Sequence, residues 1–449
     1  MAGGTWTSQN KVLPGVYINV KTAPASQYTP GERGTVAICE PLSWGPASQI
    51  LEIEAGADTF DLLGYDLNEA PQLLFLRQIF LGTDRTRGAQ KVLLYRPQAD
   101  SATTAKATLG TSSTLTTTAK YAGARGNDIA VSITADADNE GSFVVTTSVS
   151  GAVVDEQSVE ELSALAENGW VTFSGTGTPE AAALTALTGG TDGTVQAAAY
   201  AAFLTALEPY TFDVLIYDGT DSTTQAAYKN FVERMRNDEG KKCQAVTAQY
   251  AAADSESVVS VYNGLALSDG TTLTPAQTCW WVGGATAGAK YNESLTYAKH
   301  PYAVDVSPRY SNSAMAEAIT AGNLVLMEEF GEVKVVLDVN SLTTFTPERG
   351  EAFSKNRLIR AVDTIANEVY RTFSTQFIGR TDNNVYGRDL LKTSIIQLLN
   401  EMQANGGVQN FDAEDVTVSP GEAANAVVVT LAVQPVDAVE KIYITVTVE

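Results

Sequence analysis

Soft metal ligands and neutral-pH bases are scarce: the 449 residues include three cysteines, Cys39, Cys243 and Cys279, and one histidine, His300. An odd number of thiols without metal-ligand spacing supports neither a disulfide framework nor a zinc site, so small buried side chains are expected. Basic residues are also few, 29 Lys and Arg against 52 Asp and Glu, for a formal charge of -23. That balance excludes the basic stripe a nucleic-acid binder needs and disfavours an anionic membrane surface. The acidic residues are scattered without a long like-charge run and read as a solvated exterior. No stretch of about twenty apolar residues is present to span a bilayer, so no direct membrane insertion is expected. The opening MAGGTWTSQNKVLPG has no apolar core of a secretory signal; synthesis in the cytoplasm and release by lysis are expected. No repeat of fixed period occurs, which argues against a solenoid.

Three near-motifs fail on chemistry. GGATAGAK (283–290) has Gly283 and Gly288 at P-loop separation, but Ala289 intervenes before Lys290 and Tyr291 replaces the magnesium-binding hydroxyl. Small residues where a helix packs closely explain it better. DADNEG begins like a calcium loop with Asp136, Asp138 and Gly141, yet Thr147 stands where a bidentate Glu is required, and a hairpin turn fits. His300 precedes Pro301 in a loop-like AKHPYAVDV, and no G-x-S-x-G elbow accompanies it. No catalytic residue, metal or cofactor is therefore assigned.

What is present is organised in segments. In the N-terminal arm, 1–21, Val16, Ile18 and Val20 share one face of a short strand through Tyr17. Pro24 and Pro30 make the following residues, 22–34, an extended linker, so the strand needs a partner sheet from elsewhere. Across 22–97, TVAICE, a helix over 70–81 and KVLLYR suggest a small α/β segment. Residues 98–194 turn to Thr, Ser, Ala and Gly with short β runs and read as an inserted β-sandwich-like domain. From 195 to 330 apolar strands alternate with helices, among them one over 222–238 capped by Ser222, which predicts a mainly parallel sheet. The stretch 331–449 is α+β. Leu358, Val362, Ile365, Val369, Phe373 and Phe377 mark one amphipathic helix, and Leu391, Ile395, Leu398 and Met402 a second. Each offers one apolar face, so the two are expected to pack together and cover the sheet. The ending KIYITVTVE sets Ile442, Ile444, Val446 and Val448 alternating with Tyr443 and two threonines, a strand with one buried face.

The C-terminal quarter resembles the C-terminal domain of contractile-tail sheath proteins of phages of Gram-positive bacteria and of related bacteriocin particles. The likeness rests on VLDVNSLTTF (336–345), FSKNRLIRAVDTI (353–365), FIGRTDNN (377–384), GRDLLKTSIIQLLNEM (387–402) and VQPVDAVEKIYITVTV (433–448), with PGVYINVK (14–21) near the start. The resemblance implies a subtilisin-like fold for the α/β domain and a structural subunit, not an enzyme. It implies stacked six-fold rings around an inner tail tube, with tube protein, baseplate and tail terminator as partners. Contraction then drives the tube through the target envelope. It also implies that terminal strands are exchanged between neighbours. The expected location is a virion or an extracellular contractile particle assembled in the host cytoplasm.

Basic residues gather at the N-terminal end of the first C-terminal helix, where the helix dipole disfavours them. In sheath proteins a helix of this domain meets the tube through complementary charge, so Arg349, Lys355, Arg357 and Arg360 are candidates for tube contact; a solvated face explains them equally. Arg380, Arg388 and Lys392 form a weaker second cluster. Two readings from other classes are an α/β hydrolase using His300 and a surface-layer or adhesin protein, which would explain the Thr-rich β segment but normally carries a secretion signal.

Overall fold

The computed structural model describes residues 33–447 and two short strands, Ala2–Gly4 and Gly15–Tyr17. The chain divides into two units, Met1–Glu32 and Arg33–Glu449. In the first, the two strands pair in parallel, with Val16 opposite Gly3 and Tyr17 opposite Gly4. Ile18, Val20 and Val448 lie outside the described residues.

The second unit is built on a seven-stranded sheet. Its strands are β1 (Thr35–Cys39), β2 (Ile50–Glu54), β3 (Lys91–Tyr95), β4 (Val214–Tyr217), β5 (Gln244–Ala248), β6 (Val258–Val261) and β7 (Asn323–Leu324), in the spatial order β7-β6-β5-β4-β1-β3-β2. All neighbours are parallel except the β2 edge. The α/β stretches before and after the insertion are therefore halves of one sheet, joined where β1 lies against β4, and not a small segment beside a separate domain. Asp213 fixes that junction by accepting the backbone N–H of Gly34 and Thr35 at 2.8 and 3.0 Å.

Alternation along each strand feeds two apolar layers. Val36, Ile38, Val92, Leu94 and Ile216 face α1 (Leu74–Leu81) and α4 (Pro275–Gly288). Ala37, Leu93, Leu215 and Tyr217 face α2 (Ala197–Leu207) and α3 (Ser222–Asn237). Each fully buried Leu, Ile or Val contributes about 1.5–3 kcal/mol. The N-cap of α3 is Asp221, one residue earlier than expected; its carboxylate accepts from Thr224 N and Thr224 Oγ1 at 2.7 and 2.8 Å. Helix α4 is apolar all round because it is covered on both sides. A Cβ at Gly283 would stand 2.5 Å from Ile216, and one at Gly284 only 2.0 Å from the Ile79 carbonyl. The near-P-loop glycines thus serve close packing of α4 against sheet and α1.

The insertion forms a four-stranded and a three-stranded antiparallel sheet around one core. Its two ends meet: Asp100 and Thr194 exchange backbone hydrogen bonds of 2.9 and 3.0 Å. Trp44, from the loop after β1, is fully buried in this core and stacks on Trp170 with centroids 4.9 Å apart. Asp136 accepts from Asp138 N and Asn139 Nδ2 at 2.9 Å, while Thr147 is buried within the strand Phe143–Val149, so the calcium-like residues close a turn.

Beyond β7 come the hairpin strands β8 (Leu326–Glu329) and β9 (Glu332–Val335), then α5 (Asn356–Thr372) and α6 (Val385–Ala404). The second helix lies on a hairpin of Val416–Pro420 and Val427–Leu431. A short pair, Val408–Gln409 with Gln434–Pro435, leads into the terminal tail.

Candidate assembly interface

The tail after Pro435 is an exposed apolar stretch. Ile442, Tyr443, Ile444 and Val446 are 75, 89, 79 and 79% exposed, and residues 436–447 pair with no strand. The strand period is present without a strand partner among the described residues. Its root, by contrast, is fixed. Val436 N donates to Gly407 O at 3.1 Å, Thr296 Oγ1 donates to Glu440 at 3.3 Å, and Lys355 donates to the same carboxylate. Val439 and Ile442 line a cavity of ≈ 620 Å³ together with Tyr297 and Arg357.

Three of the four basic candidates for tube contact therefore face inward. Arg360 is fully buried, donating to Asp338 and, at 2.9 Å, to Glu293 O. Asp338 also accepts from Leu295 N at 2.9 Å and Asn356 Nδ2 at 3.0 Å, which satisfies its carboxylate, while Nε and Nη1 of Arg360 are buried without a hydrogen-bond partner among the described residues. Lys355 is spent on Glu440 at the tail root. Arg357 is half-buried, burial pulling its pKa below the usual guanidinium range. Arg349 is half-exposed and pairs with Glu256 at 3.2 Å. The polar side of α5 faces inward because the α/β body meets it with polar partners: Arg236 of α3 donates to Asp363 at 2.6 and 2.9 Å, and Lys242 N donates to Asn367 at 2.9 Å. Of the apolar stripe, Ile365 is buried while Leu358, Val362 and Val369 are half-buried, so α5 meets the body with these polar residues together with Ile359, Ala361 and Ile365. A signal for this existed: Asn356, Arg360, Asp363 and Asn367 recur at helical steps as regularly as the apolar stripe.

In the second basic cluster, Arg380 is exposed, Arg388 bonds Asn383 at 2.8 Å, and Lys392 is half-buried. Exposed Ile378, Val385 and Tyr386 accompany them.

The enzyme reading meets different geometry. The Nδ1 of His300 accepts from the N–H of Tyr302 and Ala303 at 3.1 and 2.9 Å, so its Nε2–H donates to Gln78 Oε1 at 2.9 Å. The ring is buried against Trp281, and burial lowers its pKa to about 4. Its polar partners are an amide and backbone, which fix a loop. Ligands of such sheets bind where the strand order reverses, here between β1 and β4. That crevice is occupied by buried Tyr217 and by Trp280, whose Nε1–H donates to Asp218 at 2.9 Å. Burial, then the neighbouring Asp218 charge, raises the Glu40 pKa well above the carboxylate range. Cys39, Cys243 and Cys279 are free and buried, with burial raising each thiol pKa. Among the described residues no group of His, Cys, Asp and Glu can hold a metal, and no helix is long and apolar enough to cross a membrane.

An α/β sheet covered on both faces, an inserted β domain packed on it through Trp44 and Phe60, and an exposed apolar tail suit a structural protein. Comparison with known proteins agrees. Consecutive profiles match the tail sheath protein Gp18 domain III N-terminal region at 33–96, the phage tail sheath β-sandwich domain at 98–192, the central domain at 193–341 and the C-terminal domain at 348–449. The crystal structure of a sheath tail protein from Desulfitobacterium hafniense is 42% identical with a TM-score of 0.84, covering 96% of this chain and 99% of that one. The phage-like element PBSX protein XkdK of Bacillus subtilis is 35% identical over an alignment that covers 99% of each chain. The helical sheath of the anti-feeding prophage in its contracted state shares the fold, with a TM-score of 0.58 at 15% identity, covering 98% of this chain and all of that one. The chain belongs to the phage tail sheath protein family. It is a structural protein of the tail sheath kind and not an enzyme, so the hydrolase and surface-layer readings fall.

Proposed function

We propose that this chain polymerises through its ends into stacked six-fold rings around an inner tail tube, and that contraction of this sheath drives the tube through a target envelope. The α/β plate is the subtilisin-like scaffold of the subunit, used as a rigid body. The observation that carries the reading is the exposed row Ile442, Ile444 and Val446 on a tail with a fixed root. An apolar strand held away from its own sheets is suited to a neighbour's sheet edge, where main-chain bonds give attachment and alternate side chains give register. Val427 and Val428, 37 and 51% exposed on the C-terminal hairpin, mark a suitable receiving edge. About five such bonds, each worth ~0.5–1.5 kcal/mol net, plus the buried face, hold a link of several kcal/mol. The N-terminal strand residues Val16, Tyr17, Ile18 and Val20 supply a second link in this scheme. The subunit bodies can then rotate relative to one another without dissociating.

The tube-facing surface is assigned to the face carrying Arg380, Arg388 and Lys392, because Arg360, Lys355 and Arg357 are engaged within the subunit; Arg349 is the first-cluster residue that stays accessible. Baseplate and tail terminator are the further partners, and assembly takes place in the host cytoplasm. The test is Ile444→Pro, since proline removes a ladder donor. The variant should keep the melting temperature of the isolated subunit and stop at monomers. Polymers seen by electron microscopy at wild-type yield would sink strand exchange.

A further inference from the structure

Strands β8 and β9 close on a two-residue turn, Phe330-Gly331, with Glu329 paired to Glu332. Both turn residues have positive φ, 56° at Phe330 and 79° at Gly331. A tight hairpin turn requires this conformation, and Asn, Asp or Gly adopt it at little cost at the first position. Phenylalanine does so under strain, and here its ring is 89% exposed, so no burial within the subunit offsets the cost. Strain of this kind persists where function requires it.

The surroundings are those of a contact surface. Lys334 Nζ lies 5.8 Å from the ring centroids of both Phe330 and Tyr297. Lys334 also pairs with Glu329 at 3.4 Å and Glu332 at 3.3 Å, and Lys299 pairs with Glu332 at 2.6 Å. Two lysines and two glutamates thus cancel around an aromatic tip, on a chain of net charge -23. Tyr297, itself 43% exposed, lines the same cavity as Val439 and Ile442 of the tail. Tip, neutral rim and tail root form one continuous surface.

We propose that Phe330 is an anchor by which one subunit docks on a second copy of this chain, beside the exchanged terminal strand. The proposal rests on the reading that the tail joins copies. Two chains of like charge approach best where charge is locally cancelled, and paired rim charges can be covered without stranding any of them. An aromatic centre inside a polar rim is the arrangement that concentrates binding energy.

Phe330→Asn and Phe330→Gly suit the turn better than the native residue, so misfolding is not the expected outcome. The melting temperature of the full-length subunit should stay the same or rise, while the critical concentration for polymerisation, read by sedimentation, should rise roughly tenfold or more. Phe330→Trp should stay within about threefold of wild type, since the aromatic anchor is kept. Ile444→Pro is run in parallel. Wild-type polymerisation by Phe330→Asn and Phe330→Gly overturns the anchor whatever Ile444→Pro does, and loss of tube co-sedimentation alone would then assign Phe330 to the tube. If Ile444→Pro polymerises and Phe330→Asn does not, strand exchange fails while the anchor stands.

Discussion

The Arg236 guanidinium donates two hydrogen bonds, 2.6 and 2.9 Å, to the Asp363 carboxylate, and both residues are buried. This pair fastens α5, the first helix of the C-terminal region, to α3 of the α/β body. Removing one partner leaves the other charge buried and unpaired, which costs about 3–5 kcal/mol. Asp363→Ala should therefore lower subunit stability by that amount in urea unfolding, and Arg236→Met with Asp363→Leu should recover most of it. A loss under 1 kcal/mol for the single variant would show that water reaches the site.

Charge reversal separates the two basic clusters. Arg360→Glu would set two carboxylates, its own and that of Asp338, against each other in the interior, and the subunit should fail to fold or melt far lower. Arg380→Glu with Lys392→Glu, by contrast, should change stability by about 0.5 kcal/mol or less per site. It should weaken co-assembly with tube protein, most visibly at low salt where exposed charges act. Unchanged co-sedimentation of the double variant removes this face from the tube contact.

The β-rich insertion should be separable at its neck. Asp100 and Thr194 form an antiparallel pair, so their Cα atoms lie within about 5.5 Å and a short Gly/Ser bridge can replace 101–193. Trp44 would lose its cover, since it packs in that core against Trp170. The deletion is expected to be soluble and folded when combined with Trp44→Ser, and to bind a hydrophobic dye without it. A trimmed chain lacking the native far-UV spectrum would make the insertion part of the core.

Acid sensitivity should carry a His300 contribution. Burial lowers its pKa to about 4 in the folded subunit, against an ordinary value near 6.5. The unfolded chain therefore binds the proton first, so the stability present above pH ~6.5 is lost as pH falls toward ~4, by up to about 3 kcal/mol. His300→Asn, which retains an acceptor for the Tyr302 and Ala303 amides, should be less stable at pH 7.5 yet lose less on going to pH 5. Equal losses in the two proteins would rule out the histidine as the source.

Local periodicity carried much of this fold in the open. The 3.6-residue spacing of Leu391, Ile395 and Leu398 and the small residues of GGATAGAK each act within a few residues, so they are legible one segment at a time, whereas the alternation of Ile442, Ile444 and Val446 meets no strand and no buried face among the described residues. Parallel pairing is different. That β1 lies against β4, across an intervening sandwich, depends on contacts between residues such as Thr35 and Asp213 that no local pattern encodes.

The sequence by itself determined that a strand-like end, an acidic exterior and two helices of one-sided apolarity would exist, because alternation, charge and helical period are properties of neighbouring residues. Only the tertiary structure decided that Asn356, Arg360 and Asp363 of α5 are buried beside its apolar Ile359 and Ile365. A basic helix N-terminus is ordinarily solvated, and Arg360 and Lys355 turn inward because distant carboxylates, Asp338 and Glu440, are brought to meet them. The terminal stretch likewise has the alternation of a strand, but among the described residues 436–447 pair with no strand, because pairing depends on where distant sheet edges lie and not on the alternation itself.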